Sequence, residues 1–349
     1  MTQDLFYDED EAERRPKPRR RGRKAVFIVM ASMVVLVGGA LVAALLYLNS
    51  LGSAYEEQVQ TFDPEHTFPE ESERPAKDKD DESLNILLLG ADSGGGSGED
   101  EDLPMVPGGA RSDTMMLVHI PGDRESMQVM SIMRDTWVPI PGHGQAKINA
   151  ALTLGEGTAL TVQTVESLLD VRIDHVASMD LVGFQGLVDA MGGVTVDSPE
   201  AFTSVGGYSF SQGPQHMDSE QAMAFVRERR AFGDGDYTRV RNQQVFMRGV
   251  LDGILSPSTL ANPARVHDMV DTFSPYLVVD QDLDSGAVGS LGWELRGVRE
   301  GGIDMFTMPN LGIGTSADGQ SIVIHDEQAA AEIGEALRND EFQEYVQSR

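Results

Sequence analysis

The sequence predicts an α/β domain, an α-β-α sandwich, held behind one N-terminal membrane-spanning helix. Three observations predict it. From Leu84 onward, short apolar runs alternate with stretches of helical periodicity. Residues 25–48 form a run of 24 residues without a charge. Between the two lies a charged, proline-containing segment without apolar periodicity, 49–82.

The apolar run reads AVFIVMASMVVLVGGALVAALLYL. A helix of that length rises ~36 Å, enough to cross a hydrocarbon core of ~30 Å with some tilt. The rival reading is a cleaved signal sequence. Its apolar core is usually ~7–15 residues and is followed by small residues. This run is longer and ends in Leu45, Leu46, Tyr47 and Leu48, so an uncleaved anchor is expected. Arg14–Lys24 supplies the basic flank that marks the cytoplasmic side. The expected order is a polar cytoplasmic tail (1–24), the anchor (25–48), an extracytoplasmic stalk (49–82) and one extracytoplasmic catalytic domain (83–349).

Charge divides along the same line. The tail carries 8 Lys/Arg and 6 Asp/Glu, leaving 19 basic and 50 acidic residues beyond the anchor. So acidic a domain lacks the basic footprint of a nucleic-acid binder. Any anion it holds needs a local cluster of basic groups. The chain has no cysteine. That excludes disulfides, thiol catalysis and cysteine-ligated metals. No G-x-S-x-G elbow is present, which disfavours a serine hydrolase.

Within the domain, 85–91, 114–120 and 127–133 are apolar runs bounded by turn residues, and read as buried strands. Residues 158–169 and 180–191 read as helices, the second stopped by Gly192-Gly193 before a short strand, 194–196. A helix at 218–226 has Asp218 as its cap. Further helices are expected at 236–255, 258–272, 284–299 and 326–347, and strands at 303–308 and 321–324. The acidic, glycine-rich stretch 93–110 reads as a long surface loop.

Several charged residues stand where a core would not want them. Asp92 follows the first strand, at the end where ligand crevices of open α/β sheets lie. Arg111 and Asp113 precede the second. Arg134 and Asp135 close the third. Lys147 opens KIN, Arg227 and Arg229 follow an apolar helix, and Asp236, Arg239, Gln243 and Gln244 lie in GDYTRVRNQQ. Arg227 and Arg229, two apart, share a face if extended. Arg239 and Gln243, four apart, share a helix face. Arginine suits bidentate phosphate contact, and carboxylates with phosphate oxygens suit Mg²⁺. Taken singly, an Asp or Arg at a strand end is more often solvated or in a surface ion pair, and Arg227–Arg230 also reads as a helix end complementing the dipole. The residues alone support an anion site, compatible with phosphoryl transfer.

In order, GADS, RSDT, SIMRD, KINAA, MDLVGFQGLVDAMGGV, FVRER and GDYTRVRNQQ resemble the motif series of the LytR-CpsA-Psr family, over about residues 84–255. The resemblance implies a central mixed sheet. It also implies transfer of a glycopolymer from a polyprenyl-pyrophosphate carrier to a peptidoglycan hydroxyl, with membrane lipid as a further partner. It puts Asp92 and Asp113 on Mg²⁺, with Mn²⁺ as the alternative ion. Arg111, Arg134, Lys147, Arg227, Arg229, Arg239 and Gln243 fall at the pyrophosphate, with Asp135 and Gln244 beside them, and Asp236 would orient arginines or polarise the acceptor. Two departures stand out. Asn242 occupies a position where the family often has Arg, with Arg241 adjacent, and Met133 stands where Pro is common. A polyprenyl tail needs an apolar tunnel. Leu181, Phe184, Leu187 and Val188, or Phe246, Val250 and Ile254, would line it, unless they are ordinary core. Two other functions use the same residues: a lipid-pyrophosphate hydrolase, and a non-catalytic envelope binding or regulatory protein.

Overall fold

The computed structural model describes residues 46–91, 112–155, 157–233, 237–298 and 302–348, with the backbone alone at positions 91, 112, 113, 180–182 and 184. The chain divides into two units, Met1–Ser50 and Leu51–Arg349. Of the first, residues 46–50 are described, and they are helical. The expected anchor therefore lies almost wholly outside the described residues. No described helix is long and apolar enough to cross a membrane.

The second unit is built on a mixed sheet of seven strands. Their order is β1 (Gln60–Thr61), β12 (Leu277–Val279), β7 (His175–Asp180), β2 (Leu84–Ala91), β3 (Ser112–Ile120), β4 (Met127–Ile132) and β13 (Ile303–Thr307). The central strands β2, β3 and β4 run antiparallel, and β7 and β13 extend them by parallel pairing. Both faces are covered. Leu87, Leu89, Met115, Leu117, Met130 and Ile132 pack on one side with Val165 of helix α2 (Thr158–Leu169), Ile333 and Leu337 of α9 (Glu327–Arg338) and Phe342 of α10 (Phe342–Gln347). Ile86, Met116, Val118, Met127 and Val129 pack on the other with Leu251 of α5 (Tyr237–Ile254) and Leu291 of α8 (Ser285–Glu294). Burial on both faces is why these strands read as unbroken apolar runs instead of alternating.

A third apolar cluster joins α3 (Leu181–Ala190), α4 (Ser219–Arg227), α5 and β8 (Val194–Ser198) through Leu187, Val188, Val194, Val196, Phe225, Phe246 and Val250. Asp218 closes a capping box with Gln221 at the start of α4, as the Asp-x-x-Gln spacing requires. A smaller sheet has the order β14 (Asn310–Thr315), β15 (Ser321–His325), β5 (Thr136–Ile140), β6 (Gly144–Lys147). Two short antiparallel pairs complete the strands: β8 with β11 (Gly213–Met217), and β9 (Phe202–Thr203) with β10 (Ser209–Phe210).

The structure corrects several expectations. Residues 51–82 are not a free stalk. Helix α1 (51–58) places Tyr55 at 7 % exposure, with its hydroxyl donating to the Leu283 carbonyl. β1 adds an edge strand to the main sheet, and Phe62 is buried. Arg74 forms a buried bridge to Glu166, and Lys77 one to Asp174. Only a few scattered apolar residues anchor the segment, and ion pairs do the rest, so no periodicity betrays it. The helix expected at 258–272 is two, α6 (Pro257–Leu260) and α7 (Pro263–Phe273), because Pro263 starts a new helix that Asn262 caps. The helix expected at 326–347 breaks between α9 and α10, where Asp340 adopts φ +56°. The helix expected at 284–299 ends at Glu294 and tightens into a 3-10 turn, Leu295–Gly297.

Candidate active site

β2, β4 and β7 all point their C-terminal ends to one edge of the main sheet. Ligand crevices of α/β folds form there, and the basic residues collect there. The turn after β4 carries Arg134 and Asp135, closed by the Thr136 N–H donating to the Met133 carbonyl at 2.9 Å. The Val323 N–H donates to the Asp135 carbonyl at 2.8 Å and fixes the turn against β15. β6 pairs with β5 so that Lys147 lies opposite Trp137. Its Nζ then sits 3.0 Å from Asp135 Oδ1, while Arg134 Nε lies 4.0 Å from Asp135 Oδ2. One carboxylate thus stands between two cations.

The first turn of α5 faces this turn. Arg239, 8 % exposed, and Gln243 line a narrow crevice with Arg134, Ser131 and Thr114. Holding a guanidinium at such depth demands an anion or strong acceptors nearby. Arg227 ends α4 and Arg229 follows it; both are exposed. Their neighbour Val226 turns inward, and its carbonyl lies 3.5 Å from Gln243 Nε2.

Beneath the crevice lies an apolar cavity of about 260 Å³. Leu88 and Leu89 of β2, Met116 of β3, Ala177 and Met179 of β7, Leu277 of β12, Phe246 and Met247 of α5, Val226 and Phe273 form its walls. Thr114 and Gln243 line both spaces. A cationic crevice therefore adjoins an apolar cavity, an arrangement that suits an amphiphile with an anionic head.

Of the expected tunnel residues, Phe246 lines the cavity. Leu187, Val188 and Val250 belong to the core under α3 and α4, and Ile254 packs at its margin. The side chains of Leu181 and Phe184 are outside the described residues. The walls that sequence reasoning missed come from the sheet. Ala177 and Gly90 were the available signal: small residues inside buried strands leave space, and nothing local says whether a ligand or a neighbour fills it.

Gln244 does not reach the crevice. It is buried, and its Nε2 donates to Ser131 Oγ at 2.9 Å and Thr307 Oγ1 at 3.1 Å, joining α5 to β4 and β13. Asn242 is fully buried, with both ends of its amide lacking a hydrogen-bond partner among the described residues. Arg241 beside it is exposed and does not take up the inward position. Asp92, Arg111 and Asp236 are outside the described residues. Asp113 lies in β3, where the register with β2 shifts between Gly90 and Ala91, and Ala91, one residue before Asp92, pairs with Ser112. The backbone of Asp113 thus stands at the end of the strand pair where β2 finishes. Among the described residues, no group of three His, Asp or Glu could hold a metal ion.

A family model described as the LytR_cpsA_psr family matches residues 42–339. The chain belongs to the LytR-CpsA-Psr family. It is 31% identical over 312 residues to the polyisoprenyl-teichoic acid–peptidoglycan teichoic acid transferase TagU of Oceanobacillus iheyensis, covering 87% of this chain and 90% of that one. It is 34% identical over 262 residues to the probable cell wall biosynthesis protein LcpB of Corynebacterium glutamicum, covering 73% and 61%. Among solved structures, TagT bound to LI-WTA aligns with a TM-score of 0.57 at 26% identity, covering 77% of this chain and 96% of that one. A LytR-Csp2A-Psr enzyme from Actinomyces oris shares the fold, with a TM-score of 0.60 at 20% identity over 80% of this chain and 96% of that one.

Proposed function

We propose that this LytR-CpsA-Psr protein transfers a glycopolymer from a polyprenyl-pyrophosphate carrier to a hydroxyl of peptidoglycan, in cell wall assembly. One observation supports the reading most: the crevice of Arg134, Arg239 and Gln243 adjoins the apolar cavity, with Thr114 and Gln243 in the walls of both. The head and tail of a polyprenyl pyrophosphate have that same division. The names of the relatives, a teichoic acid transferase and a structure holding wall teichoic acid, support the same substrate class.

In the reaction, the acceptor hydroxyl oxygen forms a bond to the phosphorus that carries the sugar. The bond from that phosphorus to the bridging oxygen breaks, and polyprenyl phosphate leaves with the electron pair. The acceptor proton passes to solvent or to the departing phosphate. Arg134 and Arg239 stand where the leaving phosphate gathers charge, and preorganised donors at such a point lower the barrier most. A loose transition state asks little of a general base. The cavity keeps hold of the tail, so donor and product share one anchor point. Mg²⁺, or Mn²⁺ in its place, would be held by Asp92 and Asp113 and would neutralise phosphate charge. Residues 25–48 would confine the enzyme to the bilayer that carries the donor, with residues 51–349 outside the cytoplasm.

The test is full-length protein in detergent with Mg²⁺, a short-chain polyprenyl-pyrophosphate oligosaccharide and peptidoglycan fragments. The expected product is a phosphodiester-linked conjugate. Phosphate release without conjugate would favour the hydrolase, and no turnover with any donor would favour a binding role.

A further inference from the structure

Glu228 stands between Arg227 and Arg229, an odd neighbour for two groups read as anion ligands. It is nevertheless 6 % exposed, more deeply set than either arginine. Its Oε2 accepts the Val205 N–H at 2.7 Å, and its Oε1 accepts the N–H groups of Arg229 and Ala231, each at 2.9 Å. Burial opposes its charge, but the N–H groups of Val205, Ala231, Arg230 and Arg229 outweigh that and hold the carboxyl below its ordinary range. Val205 belongs to the β9–β10 hairpin, whose turn is closed by the Ser204 N–H donating to the Tyr208 carbonyl at 2.8 Å and the Gly207 N–H to the Ser204 carbonyl at 2.9 Å. Phe202 of that hairpin packs 5.5 Å from Phe225, before the arginines, and 4.7 Å from Phe232, after them. The arginine-bearing loop is thus fastened at both ends by rings and in the middle by one carboxylate.

We propose that Glu228 is a positioning residue for donor binding: by gathering the loop's backbone N–H groups, it fixes the path that presents Arg227 and Arg229 to the pyrophosphate. This rests on the reading of the crevice as a pyrophosphate site. The carboxylate's charge is taken up by backbone dipoles, so an acid can sit between two anion ligands without displacing the anion.

The test uses the full-length protein with the short-chain polyprenyl-pyrophosphate oligosaccharide as donor. Glu228→Gln keeps the shape but turns an NH₂ toward N–H groups. Donor KM is expected to rise about tenfold, with acceptor KM and kcat changed less than about twofold. Arg229→Ala is expected to raise donor KM as well, and adding Glu228→Gln to it to change little more, since the two act as one unit. An unchanged donor KM in Glu228→Gln, or effects that multiply in the double variant, would overturn the proposal. A wild-type donor KM in Arg229→Ala would instead remove Arg229 from the donor contacts, and this inference with it, while leaving the crevice reading to the Arg239→Ala test. If Glu228→Gln does not fold, Glu228→Asp with limited trypsin decides: faster nicking after Arg229 or Arg230 than in the wild type, suppressed by donor, is expected, and equal nicking rates sink the idea.

Discussion

The two ends of β2 treat arginine in opposite ways. At the N-terminal end, Arg74 bonds Glu166 through Nε at 3.1 Å and Nη2 at 2.7 Å, and also donates to the Ile173 carbonyl. Its guanidinium lies 4.5 Å from the centre of the Phe68 ring. Arg172 forms a two-pronged bridge to Glu71, and Lys77 one to Asp174. Every one of these cations is matched by a carboxylate. At the C-terminal end, Arg134 and Arg239 line one crevice beside an apolar cavity, and Arg134 and Lys147 share the carboxylate of Asp135. Closed pairs make a fastening; cations gathered beside a cavity suit a ligand. The same residue type serves stability at one end and, in the proposed function, phosphate binding at the other.

Arg239→Ala should break the contrast most sharply. Transfer is expected to fall about 10²–10³-fold, with little change in the denaturant midpoint; a loss of folding with unimpaired specific activity would assign Arg239 to structure. Arg74→Ala is its mirror. It leaves Glu166, 1 % exposed, buried without its cation, so stability should drop by about 3–5 kcal/mol. Urea unfolding measures this, and the protein that remains folded should turn over at near wild-type rate. Ala177→Leu sharpens the role of the cavity. It should raise KM for long-chain donors about tenfold and for short-chain donors less, at a packing cost of ~1–3 kcal/mol. Equal effects on both chain lengths would deny the cavity a role in holding the tail.

The smallest effect is expected at Asp340. Its Oδ1 lies 3.2 Å from His119 Nε2, and Oδ2 accepts the Gly122 N–H at 3.0 Å. The His119 hydrogen bond, against some opposition from burial and with help from Gly122, holds the carboxyl below its ordinary range. A depressed carboxyl contributes stability above its unfolded value of ~3.9 that is lost as pH falls through the folded one. Asp340→Asn tolerates the left-handed backbone and should cost about 1 kcal/mol or less at pH 7. The difference from wild type should shrink in acid unfolding as pH falls below the ordinary carboxylate range.

Much of this was legible in the chain because it is local. The apolar runs of β2, β3 and β4 and the Asp218 cap are written in neighbouring residues. Arg239 and Gln243 could be placed on one helix face by spacing alone. What could not be read is what needs distant partners. β7 is half-polar and β12 only three residues long, so they gave no pattern, yet they wall the cavity. Gln244 sits among site residues in sequence and turns the other way in space. Residues 51–82 looked like a spacer because Glu166 and Asp174, which hold them, lie about a hundred positions downstream.

That last point changes the mechanics of tethering. A free 34-residue linker would wander over roughly 30 Å. With β1 paired to β12, only Asn49 and Ser50 separate the end of the apolar run at Leu48 from the folded unit at Leu51. If residues 25–48 span the bilayer, the tether is two residues long and not thirty-four. A short leash raises the effective concentration of site and headgroup toward each other. In that case it would also limit how deep into the wall the enzyme reaches, and the acceptor strand would have to come to the membrane.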